Sequence, residues 1–368
     1  MKKPFCLRSL VRLTAMGLLA LSASTRSLGQ DVVRYSQPGR GTAWQDLSGI
    51  IEKEGPAGIQ IKSRDKVVLI PAEDIVLVQY KHPNLLAVDF RAAQDRISQA
   101  LMASGSQMAE KIKQARDAAD KLAEKAGNEV SVARYAVWQV ALSRFAEAKA
   151  NGKQAEAVSI LDRAATATRG GWEEVQAMRM LVEQQQLLGQ ATSGTLEKWS
   201  RIPGLSGENQ SRIQNRLRLA KIREGKGGVV AAELATSVGS DPAKSALLDL
   251  ARLVAGPLDS GKLKQTRLAL ARLETLQPDR VGQVDDHFLA GCQVVLGNYL
   301  IVQKKPEEAL WELVRVEAQY PGNKAELAEA LFQLSSLYET QLKNPTRAGE
   351  CVERLKGWEF AGSVWTKK

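Results

Sequence analysis

Two histidines, three cysteines and a few paired carboxylates are the side chains of this 368-residue chain whose chemistry could extend beyond packing. His287 follows Asp285 and Asp286 at the expected start of a helix, an arrangement that could serve a metal or a proton transfer. The same aspartates suit the positive end of a helix dipole, and a metal site needs three or four converging ligands that no spacing here signals. His287 is therefore expected to be a half-exposed helical residue. His82, just before Pro83, is expected at the surface. Glu173-Glu174 and Glu307-Glu308 stand at helix starts, where capping and dipole effects account for them. Gly225-Lys226-Gly227-Gly228 follows a helix and lacks the Lys-Ser/Thr of a phosphate cradle, so it reads as an inter-helix turn. No CxxC, HExxH, GxSxG, Walker A or GxGxxG spacing occurs. No catalytic, cofactor-binding or metal residues are expected, and no enzyme. An envelope enzyme with an unrecognised site is a rival reading.

Arg212, Arg216 and Arg223 share one helical face, with Arg218 and Lys221 nearby and Ile213, Leu217 and Ala220 opposite. Two readings follow: a solvated outer face, or a docking patch for an acidic segment or an anionic envelope polymer.

The elements that carry these residues begin after a distinctive N-terminus. Lys2, Lys3, Arg8 and Arg12 precede an apolar run from Leu13 to Ala23, and small residues follow, which is the pattern of a secretory signal over residues 1–29. Cleavage after Gly29 is preferred to cleavage after Ser22, and an uncleaved anchor is the alternative. A periplasmic or secreted location follows. No later run is long enough to span a bilayer. Cys6 leaves with the signal. Cys292 and Cys351 lie in apolar helical patterns and are expected as buried free thiols, with a bridge between them as the alternative.

The chain carries 51 Lys+Arg and 41 Asp+Glu, a formal charge of +10. Removing the signal with Arg26 leaves 46 basic residues against the same 41, a net of +5. Residues 31–81 are neutral and residues 200–280 hold a net +6. The balance of 44% hydrophobic and 25% charged residues excludes a wholly disordered, collagen-like or disulfide-dense chain.

Residues 30–81 have the texture of short strands punctuated by turns, and four or five strands in so short a stretch suggest a small antiparallel barrel. The succession Leu47 to Ile51, Gly58 to Lys62 and Val68 to Ile75 resembles SH3-like or Sm-like small barrels. Some of these bind RNA, but a neutral module whose Tyr35, Trp44 and Tyr80 are not set among basic clusters points away from nucleic acid and towards protein docking.

From Pro83 onward the pattern is helical: linking or capping helices over 82–127, helix pairs recurring every roughly 35–45 residues over 128–360, and a C-terminal tail over 361–368. Leu296-Gly297, then Ala309, Leu313 and Pro321, resemble a tetratricopeptide (TPR) repeat. Gly297 to Ala309 is twelve residues, Ala309 to Leu313 four, and Ala309 to Pro321 twelve. Gln293 stands in place of the family's tryptophan and Leu300 in place of its tyrosine. Gly152 to Ala157 and Leu334 to Tyr338 with Arg347 to Val352 are weaker matches. The resemblance implies a mainly α fold, a TPR-like helical-hairpin solenoid behind a small antiparallel β-barrel. It also implies a non-catalytic scaffold whose concave groove, lined by the first helix of each pair, takes a peptide or partner protein.

Overall fold

A computed structural model describes residues 30–36, 44–103, 105–237, 239–276, 284–357, 360 and 362–366. The expected signal over residues 1–29, the Gln37-Pro38-Gly39 break and Pro278 lie outside them.

The first element is a five-stranded antiparallel sheet of β1 (Asp31–Ser36), β2 (Trp44–Gly55), β3 (Gly58–Ser63), β4 (Lys66–Pro71) and β5 (Ile75–Gln79). Its order is β4-β3-β2-β1-β5. The last strand returns to pair with the first across a 3-10 turn at Ala72–Asp74. β2 spans both halves, pairing with β1 through Trp44 to Gly49 and with β3 through Ile50 to Gly55. Gly49 sits at the change of partner, where an added Cβ would lie 2.2 Å from the Lys62 carbonyl oxygen. Only glycine permits that approach. Asp31 ties the ends together, its carboxylate accepting from the Ile51 and Lys81 amides.

The rest is helical: α1 (Ala87–Met102), α2 (Met108–Ala126), α3 (Val130–Ala150), α4 (Gln154–Ala167), α5 (Trp172–Leu187), α6 (Ser193–Ser200), α7 (Gly207–Arg223), α8 (Gly227–Ala235), α9 (Pro242–Val254), α10 (Ser260–Thr275), α11 (Asp286–Val302), α12 (Pro306–Gln319), α13 (Lys324–Ser336) and α14 (Pro345–Leu355). From α3 onward, neighbours in sequence pack as hairpins, an arrangement compatible with a helical repeat solenoid. Among the described residues no helix is long and apolar enough to cross a membrane.

One apolar core runs from the sheet (Val33, Ile59, Ile61, Leu77, Val78) through Phe90, Tyr135 and Trp172 to Ile213, Leu217 and Ala220 of α7. The change of texture at Pro83 is therefore not a gap between cores. Gln176 of α5 reinforces the seam by donating to the Ala72 carbonyl at 2.7 Å and to that of Ile75 at 3.1 Å. A second core takes in Leu187 of α5 with Leu219 and Ile222 of α7 and extends through α14 to Phe360. α7 thus belongs to both.

The array curls back on itself. The first helices of successive pairs face inward: α7 packs on α9 and α11, and α13 packs on α5 as well as α11. The segment expected as a tail is tied to this closure. Ser363 is buried and donates to the Leu187 carbonyl at 3.0 Å, and Trp365 lies 5.4 Å from the Phe332 ring.

Candidate functional site

The three arginines singled out by the sequence line the inner seam, not an outer face. Arg212, Arg216 and Arg223 have side chains only 20%, 12% and 22% exposed. Each meets a carboxylate from another element. Arg212 donates to Glu73 in the sheet's 3-10 turn at 2.8 Å and to Glu208 at 3.1 Å. Arg216 bonds Asp285 at the start of α11, and Arg223 bonds Glu329 of α13 with Glu326 3.9 Å away. The expectation of a solvated stripe, and of a patch open to an anionic partner, gives way to internal neutralisation. The physical reason is visible on α7: Ile213, Leu217 and Ala220 lie to one side of the arginine stripe and Leu219 and Ile222 to the other, each set feeding its own core.

His287 belongs to the same cluster. Its Nδ1 lies 3.5 Å from Glu326 and its Nε2 3.7 Å from Glu183 of α5. Burial would lower the imidazole, but the bond to Glu326 and the charges of Glu326 and Glu183 outweigh it and raise the pKa above its ordinary value. Burial likewise acts to raise Asp285 and Glu326, and the neighbouring Arg216, Arg223 and His287 hold both below the usual carboxylate range. Asp285 also caps α11, accepting from the Phe288 amide at 2.8 Å, as its place in the sequence suggests. The cavity beside His287, Arg216 and Arg223 is only about 20 Å³, room for roughly one water. This cluster ties α5, α7, α11 and α13 together.

His82 is also not a surface residue: its side chain is 6% exposed, 3.9 Å from Glu129, and its Nδ1 accepts from the Asn84 amide. Cys292 and Cys351 are free and buried, and burial pushes both thiols up, Cys351 to about 11. Gly225 and Lys226 turn the chain from α7 into α8, which Gly227 and Gly228 begin. Among the described residues no three His, Cys, Asp or Glu side chains are grouped to hold a metal ion.

Glu173 is more than a helix-start residue. It is fully buried, with the Arg134 guanidinium 3.8 Å away, and the same guanidinium lies 3.6 Å from Glu54 of β2. Burial first, then the negative charge of Glu54, drives the Glu173 pKa up to about 8 against the pull of its own backbone amide and Arg134. Glu54 also accepts from the Tyr80 hydroxyl at 2.7 Å.

The packing residues of the repeat-like segment fall where their spacing requires. Leu296, Ala309 and Leu313 are fully buried between α11 and α12, and Pro321 follows the end of α12. A Cβ on Gly297 would sit 2.8 Å from Leu313 side-chain atoms, so the two helices touch there as only glycine allows.

Not legible in the sequence is an open groove of about 740 Å³ between α10 and α12. Arg267 of α10 crosses it to Glu312 at 2.7 Å and Glu308 at 3.0 Å, and Arg315 reaches Glu312 at 3.8 Å. Above that floor Trp311 is 70% exposed and Leu268 52%. Lys264 and Lys305 flank them with no ion-pair partner among the described residues. A signal was available for Trp311 alone. Trp311 falls between Ala309 and Leu313, off the positions that pack α12 onto α11, so it must face outward.

No family model, curated protein or solved structure matches this chain.

Proposed function

We propose that this protein is a non-catalytic, exported scaffold of TPR-like helical hairpins with an SH3-like N-terminal module, and that it works by binding a protein partner. The strand order, in which the fifth strand returns to the first, supports the small-barrel comparison, and the Gly297–Leu313 contact supports the repeat comparison. Export rests on the basic and apolar pattern of the first 29 residues.

The observation that carries the binding reading is Trp311, 70% exposed in an open groove between the second helices of two hairpins. An exposed tryptophan in a concavity is a feature of interaction surfaces, where its large amphipathic ring supplies binding energy at little entropic cost. The concave row of first helices, the expected peptide groove, is filled by α5, α7, α11 and α13 and by their ion pairs. The functional groove is accordingly the α10–α12 face. The polymer-binding alternative through Arg212, Arg216 and Arg223 finds no support, because those guanidiniums are engaged within the chain.

The test is affinity capture from the organism's own envelope fraction with the mature protein and with Trp311→Ala. A protein retained by the first and lost from the second is expected. Equal recovery on both, or no specific recovery at low salt, rejects the reading.

A further inference from the structure

The α10–α12 groove has a charge and shape that define what fits it. On α10, Lys264, Leu268 and Ala271 recur at intervals of four and three, one stripe along the helix, and on α12 Trp311 and Arg315 continue the opposing wall. The two helices face each other across the groove and are joined by the Arg267 contacts to Glu308 and Glu312. Those contacts consume both acidic groups of the groove and the arginine between them. Two apolar side chains, Leu268 and Trp311, and two cations, Lys264 and Lys305, are left facing solvent.

An occupant that satisfies all four presents apolar side chains along one stripe and carboxylates at its margins. A groove between two helices, with an exposed apolar side chain on each wall, is a geometry in which a third helix can seat its apolar face. We infer that the α10–α12 groove binds an acidic amphipathic α-helix of a partner protein, its aliphatic or aromatic stripe laid against Leu268 and Trp311 and its carboxylates paired with Lys264 and Lys305. This inference rests on the binding reading above and names the chemistry of its partner.

The fit to an acidic partner distinguishes this groove from the arginine seam of α7. The inner arginines are neutralised by Glu73, Asp285 and Glu329, whereas the cations of this rim stand next to exposed hydrophobic surface. Charge complementarity at the rim speeds encounter and selects the partner, and burial of Trp311 and Leu268 holds it.

The test titrates the full chain with three labelled synthetic peptides of about four helical turns: one with a Leu/Trp stripe on a Glu background, the same stripe on a Lys background, and the Glu peptide with two central prolines. The Glu peptide is expected to bind at least about tenfold more tightly than either of the others. Lys264→Glu/Lys305→Glu is expected to weaken it about tenfold or more, and Trp311→Ala to weaken it at least as much. All three substituted residues are exposed, so the variants should keep the parent's circular dichroism and melting temperature. Equal binding of the Lys peptide overturns the charge assignment, equal binding of the proline peptide overturns the helix, and indifference to Trp311→Ala overturns the site. A photoreactive side chain at Leu268 separates this from the broader reading. A cross-linked partner with no acidic amphipathic helix leaves the scaffold standing and rejects this inference, whereas failure of both peptides and cross-linking rejects both.

Discussion

Arg212 of α7 and Glu73 of the sheet's 3-10 turn, 139 positions apart in the chain, are joined by a 2.8 Å hydrogen-bonded ion pair. With side chains 20% and 8% exposed, the pair is shielded from salt more than a surface pair is. Removing Arg212 leaves Glu73 beside Asp74, whose own pKa burial and the charge of Glu73 already raise to about 6. A double-mutant cycle of Arg212→Ala and Glu73→Ala, read by urea unfolding, should give a coupling of about 1–3 kcal/mol. The exposed Arg347–Glu350 pair should give a clearly smaller coupling in the same experiment. Equal couplings would show that the seam is not held electrostatically.

Glu173 predicts a stability that falls as pH rises. Its pKa in the folded protein is raised to about 8 from an ordinary 4.5, so the folded state holds a proton that the unfolded state releases. Below the ordinary value both states are protonated and nothing is lost. Between the two values the folded state loses up to about 1.4 kcal/mol per pH unit, and above about 8 the loss levels off. Glu173→Gln keeps the shape and removes the titration. It should unfold at a higher temperature than the parent near pH 9, by the equivalent of a few kcal/mol, with the gain shrinking towards pH 5. Parallel melting curves for the two proteins would refute the assignment.

His287 acts in the opposite sense. Its pKa is raised in the folded state by Glu326 and Glu183, so the stabilisation it contributes is complete below its ordinary value of 6.5 and is lost as pH rises through the raised value. His287→Gln should therefore cost most near pH 5 and least near pH 9, as measured by thermal unfolding at each pH. A cost that does not vary with pH would mean that the imidazole contributes only packing.

How much of this could be read from the sequence differs by kind of residue. The strands and most helix limits follow from alternation, turn residues and helical spacing, which are local. Gly297, Ala309 and Leu313 were legible as close-packing positions because the contact they make is between adjacent helices. Arg212, Arg216 and Arg223 were legible as a stripe but not as an interior one, since their partners Glu73, Asp285 and Glu329 come from three distant segments. Leu219 and Ile222, a second apolar set on the same helix, were the sign that α7 has cores on two sides. His82 was misjudged for the same reason, as burial of a polar side chain is decided by what folds over it, whereas His287 is the half-exposed helical residue its position suggests, its side chain 26% exposed. The outward placement of Trp311 was legible from its position between Ala309 and Leu313, but the groove was not, because each helix contributes only one wall.

Closure of the helical array also depends on the C-terminal segment. Phe360 and Ser363 are each 1% exposed, and Trp365 packs on Phe332 of α13 while Ser363 bonds the end of α5. Trp365→Ala should destabilise the protein by about 1–3 kcal/mol, less than a fully enclosed aromatic would. Hydrogen exchange should show the loss concentrated in α5 and α13, because those are the helices the segment clamps. Uniform acceleration across α1 and α2 as well would deny it that local role.

Gly297 tests the packing logic of the repeat-like hairpin most directly. A methyl group there would lie 2.8 Å from the Cγ and Cδ2 atoms of Leu313, which is itself fully buried and has no free direction to move. Gly297→Ala gains helix propensity worth up to about 1 kcal/mol, because glycine is a poor helix former. Overpacking of a filled interface costs about 1–3 kcal/mol, so the net effect should be destabilising. Leu313→Ala alone should cost about 2–5 kcal/mol through the cavity it leaves. If the two residues meet as the structure shows, the double variant will be more stable than the sum of the single losses predicts, since the new methyl group fills part of the space that Leu313 vacates. Urea unfolding of the four proteins measures this coupling. Strict additivity would mean that α11 and α12 do not touch at this point.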